Sequence, residues 1–431
     1  MQSASSPPSQ PDYVQSILDT DLYKLTMQQA VRRHFPDKQV TYKFINRSKN
    51  MNFTRECVTA IEEAINRFED LRLQDHERKW LESTCPFFRS DYLDYLAALR
   101  LNPRDQIKLR FVPQERGNSV AEREEVGDLE IEVKGLWAEV ILYETPVMAV
   151  VSEAYFVYMD KDWTMDGQEE LACRKGTELY EGGVILSEFG TRRRRSYAAQ
   201  DSVMKGLLRA HEGRPAGVEG KLMGTSNVHL AQKYDTKVIG TIAHEWTMAL
   251  GAMYGVEKAN VLGLELWEQV YPTEPSNEHH IALTDTYTSQ AFFDDTTKIP
   301  GLFARWRGVR QDSGDPFKFV GLAKAAYESI GIDPKKKVAI FSDSLDNEKC
   351  LALKKLCDEA GLPAGFGIGT FLTNDFKSIS SGERSKPLSI VVKLTVVDGL
   401  DCIKISDDIE KNTGPLDAVI AAKKKFGILV S

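Results

Sequence analysis

Lys237-Val-Ile-Gly-Thr-Ile-Ala-His-Glu-Trp246 is the stretch on which the fold turns. It opens as a short apolar run with the β-branched Val238, Ile239 and Ile242. It ends in Gly240, Thr241, His244 and Glu245, before a helical pattern starts at Trp246. A buried strand that stops at a titratable residue and hands over to a helix is the sequence form of one βα unit. In α/β folds the carboxyl ends of such strands hold ligands and chemistry. A histidine there serves as nucleophile, general base or metal ligand, or is simply strand-end polarity.

Outward from this stretch the same texture recurs. Val184-Ile-Leu-Ser-Glu-Phe-Gly190, Leu222-Met-Gly-Thr-Ser-Asn227 and Ile281-Ala-Leu-Thr-Asp-Thr286 are apolar runs with polar ends. So are Gly308-Val-Arg-Gln-Asp-Ser-Gly314, Val338-Ala-Ile-Phe-Ser-Asp-Ser344 and Gly365-Phe-Gly-Ile-Gly-Thr370. Each is followed by a helical pattern. Such units predict a parallel barrel or a doubly wound sheet. A TIM-like α/β barrel over residues 151–395 fits better, because chemistry at every strand end then converges on one mouth. An eighth apolar run, Leu388–Leu394, followed by Cys402-Ile-Lys-Ile-Ser-Asp407, either closes the barrel or returns to the first domain. Residues 396–431 form this last segment, with an amphipathic helix over 415–426.

Residues 12–150 read differently. Asp19 or Thr20 is placed to cap a helix carrying Leu22, Leu25 and Ala30. Gln39–Ile45 alternates as a half-buried strand. Helical patterns follow at 57–68, 75–81 and 91–100, then short alternating segments at 107–112, 129–133 and 136–142. Helices and strands are segregated, so an α+β domain is expected. Residues 1–11 are Ser/Pro/Gln-rich and read as a disordered tail.

The chain has 431 residues and a net charge of −8, which gives nucleic acid or an anionic membrane no overall basic field. Its six cysteines are scattered without a C-x-x-C pair, which argues against a zinc knuckle or disulfide framework and for a reducing compartment. The expected compartment is the cytoplasm, with the nucleus as an alternative. No apolar run approaches the roughly 18 residues that a membrane span needs.

The strand ends carry anion donors (Arg192, Arg310), hydroxyls (Thr225, Ser226, Thr241, Ser342, Thr370) and glycine-exposed backbone (Gly367, Gly369). Their acids are Glu188, Asp285, Asp312 and Asp343. Glycine-rich strand-to-helix turns free backbone N–H groups for phosphate. Together they suit a phosphorylated sugar. Each piece has a bland reading. Arg192–Arg195 alone is a solvated helix start, although its place after a strand end should aim at least one guanidinium into the mouth. Asp312-Ser-Gly-Asp-Pro316 alone is a turn and helix N-cap. Tyr23 and Phe189 alone are core aromatics. His244-Glu-Trp is not H-E-x-x-H, and no P-loop occurs.

Six segments taken together, in order and spacing, resemble the nicotinate phosphoribosyltransferase family in its fungal form. They are Leu18-Asp-Thr-Asp-Leu-Tyr-Lys-Leu-Thr-Met27, Ser187-Glu-Phe-Gly-Thr-Arg-Arg193 and Gly224-Thr-Ser-Asn227. The others are Gly240-Thr-Ile-Ala-His-Glu-Trp246, Val309-Arg-Gln-Asp-Ser-Gly-Asp-Pro316 and Phe366-Gly-Ile-Gly-Thr370. The resemblance implies an N-terminal α+β domain and an irregular α/β barrel. It implies transfer of phosphoribose from phosphoribosyl pyrophosphate to nicotinate, giving nicotinate mononucleotide and pyrophosphate for NAD biosynthesis. ATP is the coupled co-substrate, through phosphorylation of His244, and Mg²⁺ is expected mainly on the substrate phosphates. The family's nicotinate pocket falls on Tyr23, Phe189, Thr241 and Arg310, with Arg192 nearby. In this family the tyrosine at Tyr23 can reach the site of a neighbouring subunit, which implies a homodimer. The phosphate-binding threonine falls on Thr370.

Physical reasoning adds Thr225, Ser342, Gly367 and Gly369 to the phosphate side, and Asp312 and Asp343 as stabilisers of a positively charged ribose. Ser226 stands where the nicotinamide-using relatives have an aspartate. A serine can donate to a carboxylate that an aspartate would repel, so nicotinate is favoured over nicotinamide. Nicotinamide transfer, quinolinate transfer and a non-catalytic sensor on the same scaffold are the alternatives.

Overall fold

The computed structural model describes residues 13–48, 50–114, 125–240, 242–274, 278–408 and 411–428. The expected tail (1–11) and Thr241 lie outside them. The first third supplies strands β1 (Gln39–Asn46), β2 (Phe53–Thr54), β3 (Ile107–Pro113) and β4 (Val126–Leu136). Then come β5 (Ile185–Glu188), β6 (Lys221–Thr225), β7 (Ile281–Leu283), β8 (Gly308–Gln311), β9 (Val338–Phe341) and β10 (Ala364–Ile368). A short hairpin, β11 (Phe376–Lys377) and β12 (Arg384–Ser385), precedes β13 (Ile390–Val397) and β14 (Leu400–Asp401).

The N-terminal sheet has the order β14-β13-β1-β4-β2, with β3 also paired to β4. Alternation in β1 turns Val40, Tyr42 and Phe44 into the core. The eighth apolar run becomes β13. It pairs antiparallel with β1 from Val40↔Val397 to Asn46↔Ile390. The C-terminal part of the chain therefore returns to the first domain, and residue 395 falls inside a strand of its sheet. The other boundary, at 150, falls inside the helix Glu144–Tyr158.

The second sheet is parallel, in the order β6-β5-β10-β9-β8-β7. Six of the expected βα units are its strands. The seventh, Lys237–Ile242, forms no strand among its described residues. It makes one parallel bridge, Thr225↔Val238, on the edge of β6. Glycine explains why it docks so closely. Gly224 has φ +152°, and a Cβ there would lie 1.8 Å from the Lys237 carbonyl oxygen. A Cβ at Gly240 would lie 2.9 Å from Leu22 Cβ. On the opposite edge of the sheet, Ile405 bridges Tyr287. Among the described residues no pairing joins the two edges into a continuous ring.

Three further expectations change. Of residues 136–142, only Leu136 is strand, the last residue of β4; the rest are helical turns (Trp137–Val140, then Ile141–Tyr143). They lead into a 22-residue helical stretch, Trp137–Tyr158, long and apolar enough to cross a membrane, but with 94% of its apolar window buried inside the protein. A helix packed on all sides is apolar all round and loses its periodic signal. The first helix, Leu22–His34, has Asp21 at its N-cap rather than Asp19 or Thr20, and no side-chain cap: Asp21 accepts from Ser226, and Asp19 is held by Arg194. Beneath the His244 helix, Phe35, Trp137, Trp246 and Trp267 form one aromatic cluster between the two sheets. The Trp246 indole N–H donates to the Gly263 carbonyl at 3.0 Å.

Candidate active site

The carboxyl ends of β5, β7, β8, β9 and β10 open on a cavity of about 640 Å³. Its opposite wall is β13 (Val391–Leu394) with Arg47, which follows β1. The mouth of one sheet is thus roofed by the face of the other. Eight Lys and Arg against five Asp and Glu line it, in a chain whose net charge is −8. Such a concentration of cations selects anionic ligands.

At one end stands His244, the first residue of the helix His244–Tyr254. Its Nδ1 lies 3.0 Å from Thr286 Oγ1. Its Nε2 lies 3.0 Å from Lys404 Nζ, 3.3 Å from Asp312 Oδ2 and 3.6 Å from Asp285 Oδ1. Burial and the Lys404 ammonium lower its pKa and outweigh the two carboxylates. The imidazole is therefore neutral near pH 7 and keeps a nucleophilic lone pair. Burial opposes the Asp312 carboxylate, but Arg310 and His244 hold it well below the usual range. Asp285 is likewise held ionised against burial, chiefly by Lys404.

Arg310 links this end to the middle of the cavity. It donates to Ser342 Oγ at 2.8 Å and to Asp312 Oδ1 at 3.0 Å, and Ser342 donates to the same Asp312 oxygen at 2.7 Å. Its guanidinium carbon lies 5.9 Å from the centre of the Phe189 ring. That ring rests on Gly367, where a Cβ would lie 2.4 Å from it. Gly367 and Gly369 both border the cavity, and the first is a glycine because Phe189 occupies its side-chain space.

At the other end are Tyr23, Arg192 and Glu144. The Tyr23 hydroxyl donates to Glu144 Oε1 at 3.3 Å and Arg192 to the same oxygen at 3.4 Å. Tyr23 lines the cavity of its own chain. The four-arginine run is not a solvated helix start. Arg194 and Arg195 are fully buried. Arg194 grips Asp19 through two bonds, at 2.8 and 2.9 Å. Arg195 stacks on Phe156 at 3.5 Å. Arg192 and Arg193 face the cavity, as their place after β5 predicts. A buried guanidinium is tolerable only with such partners.

Thr225 and Ser226 do not reach the cavity. The Thr225 hydroxyl donates to Glu188 Oε2 at 2.6 Å, and Ser226 donates to Asp21 Oδ1 at 2.7 Å. Burial pushes the Glu188 carboxyl up to about 7 and also raises Asp21. These groups hold β5, β6 and the first helix together beneath the mouth. Ser342, Asp343, Gly367, Gly369 and Thr370 border the cavity as expected. Asp312-Ser-Gly-Asp-Pro316 serves both of its readings: Asp315 caps the helix Pro316–Ser329, and Asp312 faces His244.

The sequence reading missed five cavity cations: Arg47, Arg384, Lys393, Lys404 and Lys411. Lys404 had a signal. It is a lysine inside the alternating run Cys402–Asp407, and it is buried. Lys411 pairs with Asp343 at 2.7 Å. Burial, Arg47, Lys404 and Lys411 lower the Lys393 ammonium to about 7.

Comparison with known proteins gives the family. Residues 18–152 match the N-terminal domain model of the nicotinate phosphoribosyltransferase family, and residues 184–429 match the family's main model. A Schizosaccharomyces pombe relative is 42% identical over 417 residues, covering 96% of this chain and 98% of its own length. The nicotinate phosphoribosyltransferase of Saccharomyces cerevisiae is 38% identical, covering 96% of this chain and 95% of its own. A crystal structure of a Saccharomyces cerevisiae protein superposes with a TM-score of 0.91 at 37% identity, covering 98% of this chain and 100% of its own. The chain belongs to the nicotinate phosphoribosyltransferase family.

Proposed function

We propose that this cavity joins nicotinate to phosphoribosyl pyrophosphate and couples that transfer to ATP through His244. The enzyme class follows from the family; the division of labour is read from the residues. Nicotinate is a flat aromatic anion. Phe189 and Tyr23 supply ring faces, and Arg310 or Arg192 supplies a guanidinium for its carboxylate. The ring nitrogen attacks C1 of the ribose as the bond to pyrophosphate breaks. Positive charge develops on the ribose, and Asp312 is an ionised carboxylate placed to stabilise it. Pyrophosphate leaves toward Arg47, Lys393 and Lys411.

Asp285, Asp312 and Asp343 are each already paired with a cation. Among the described residues no group of three or more His, Cys, Asp or Glu could hold a metal. The residues therefore offer Mg²⁺ no ready cage, and we assign it to the substrate phosphates. For the second substrate, a ring nitrogen of His244 takes the terminal phosphoryl group of ATP. An N–P bond forms, a P–O bond breaks and ADP leaves; water later frees phosphate. We read the parallel sheet as an irregular barrel, extended on its two edges by Val238 and Ile405. All six cysteines are free thiols, which supports a cytoplasmic setting.

The observation that carries the proposal is the neutral His244 held between Lys404 and Asp312, in one cavity with Phe189, Tyr23 and two arginines. The test is pyrophosphate release from phosphoribosyl pyrophosphate and Mg²⁺ with nicotinate, nicotinamide or quinolinate, each with and without ATP. Nicotinate should be the preferred base, and ATP should stimulate it. Faster release with nicotinamide, or none with any base, overturns the assignment.

A further inference from the structure

Lys24 lies one residue from Tyr23 in the first helix, fully buried and behind the cavity wall. Its ammonium sits between two carboxylates, Glu144 Oε2 and Glu245 Oε2, in close contact with both. Those carboxylates belong to opposite ends of the cavity. Glu144 holds Tyr23 and Arg192 through its other oxygen. Glu245 is the neighbour of His244 in the chain, and its other oxygen accepts from Tyr42 at 3.0 Å and Trp137 at 3.1 Å. Lys24 thus joins the base end to the histidine end through one shared charge.

We propose that Lys24 is a positioning residue that couples nicotinate binding to the placement of His244. It rests on the function proposed above. When the carboxylate of nicotinate takes Arg192, Glu144 loses part of its compensation. Glu144 then draws Lys24 more strongly, and the hold of Lys24 on Glu245 slackens. Glu245 settles on Tyr42 and Trp137, and the first turn of the His244 helix moves with it. Coupling of this kind is reciprocal, so phosphorylation of His244 alters nicotinate affinity through the same ammonium. In a buried setting, two carboxylates competing for one cation respond strongly to small changes in either's other partners.

The test is the ratio of the nicotinate KM without ATP to that with ATP, measured in the full chain. In Lys24→Met the ratio should fall toward one, by about fivefold or more, and Lys24→Arg should restore it. Glu245→Gln removes one competitor without stranding two carboxylates, and it should also flatten the ratio if Lys24→Met fails to fold. A merely structural lysine would lower thermal stability and kcat but leave the ratio as in the parent. That result, or a parent enzyme whose nicotinate KM ignores ATP, overturns the proposal while the transferase assignment stands. A parent that makes no nicotinate mononucleotide overturns both.

Discussion

The two ends of the cavity are built on different plans. The base end takes its aromatics and cations from short local motifs: Tyr23 from the first helix, Phe189 and Arg192 from the turn after β5. The histidine end is assembled from distant pieces. His244 begins a helix, Asp285 and Asp312 follow β7 and β8, and Lys404 arrives from the C-terminal segment. Ligand recognition can be carried by a few residues on one turn. Charging a neutral imidazole with a phosphoryl group needs an environment that several strand ends must share. Arg310 belongs to both ends, touching Phe189 on one side and Asp312 on the other.

Arg310→Ala should have the largest effect, because it removes that join. Asp312 is left half-buried with less compensation, a loss of roughly 2 kcal/mol at the low end for a hydrogen-bonded charge pair. Nicotinate kcat/KM should fall on the order of a hundredfold, with the ATP-dependent rate falling alongside. If only nicotinate KM changed, Arg310 would belong to the base end alone.

Lys404→Met tests the histidine end. Burial and Lys404 both depress the His244 pKa, so the neutral, reactive form persists as pH falls below the usual histidine range. Without Lys404, Asp285 and Asp312 raise it. The acid limb of the ATP-dependent rate should move up by about one pH unit, so the rate should drop about tenfold at pH values below both limbs and only about threefold near pH 6.5. The base end predicts no matching shift in transfer without ATP. An unmoved acid limb would remove Lys404 from the account.

Ser226→Asp separates the base end from the packing beneath it. The new carboxyl would face Asp21, where Ser226 now donates a hydrogen bond. Stability should fall by about 1–2 kcal/mol at pH 7, and by less at pH 5, where the pair can share a proton. The preference for nicotinate over nicotinamide should hardly change, since Ser226 does not line the cavity. A strong swing toward nicotinamide would return Ser226 to the specificity site.

The same contrast explains what was legible in the sequence. Strand-end motifs announced Phe189, Arg192, Arg310, Asp312 and the glycines, because each sits within a few residues of the apolar run that positions it. Lys393, Lys411 and Arg47 were not legible, because nothing local says that β13 folds back against β1 and faces the strand ends of the parallel sheet. The Lys237 stretch was legible as the approach to His244 but not as a single-bridge edge, since its pairing is limited by the close approach at Gly224. The buried arginines misled for a related reason: a run of charge looks solvated until Asp19 and Phe156 are known to meet it.

The most direct test of the central claim is the ratio of ADP to nicotinate mononucleotide formed by His244→Asn. Asparagine keeps a polar group at the start of the helix but cannot carry the phosphoryl group. ATP hydrolysis should be lost while slow, ATP-independent transfer to nicotinate remains. Stoichiometric ADP formation in that variant would contradict the account.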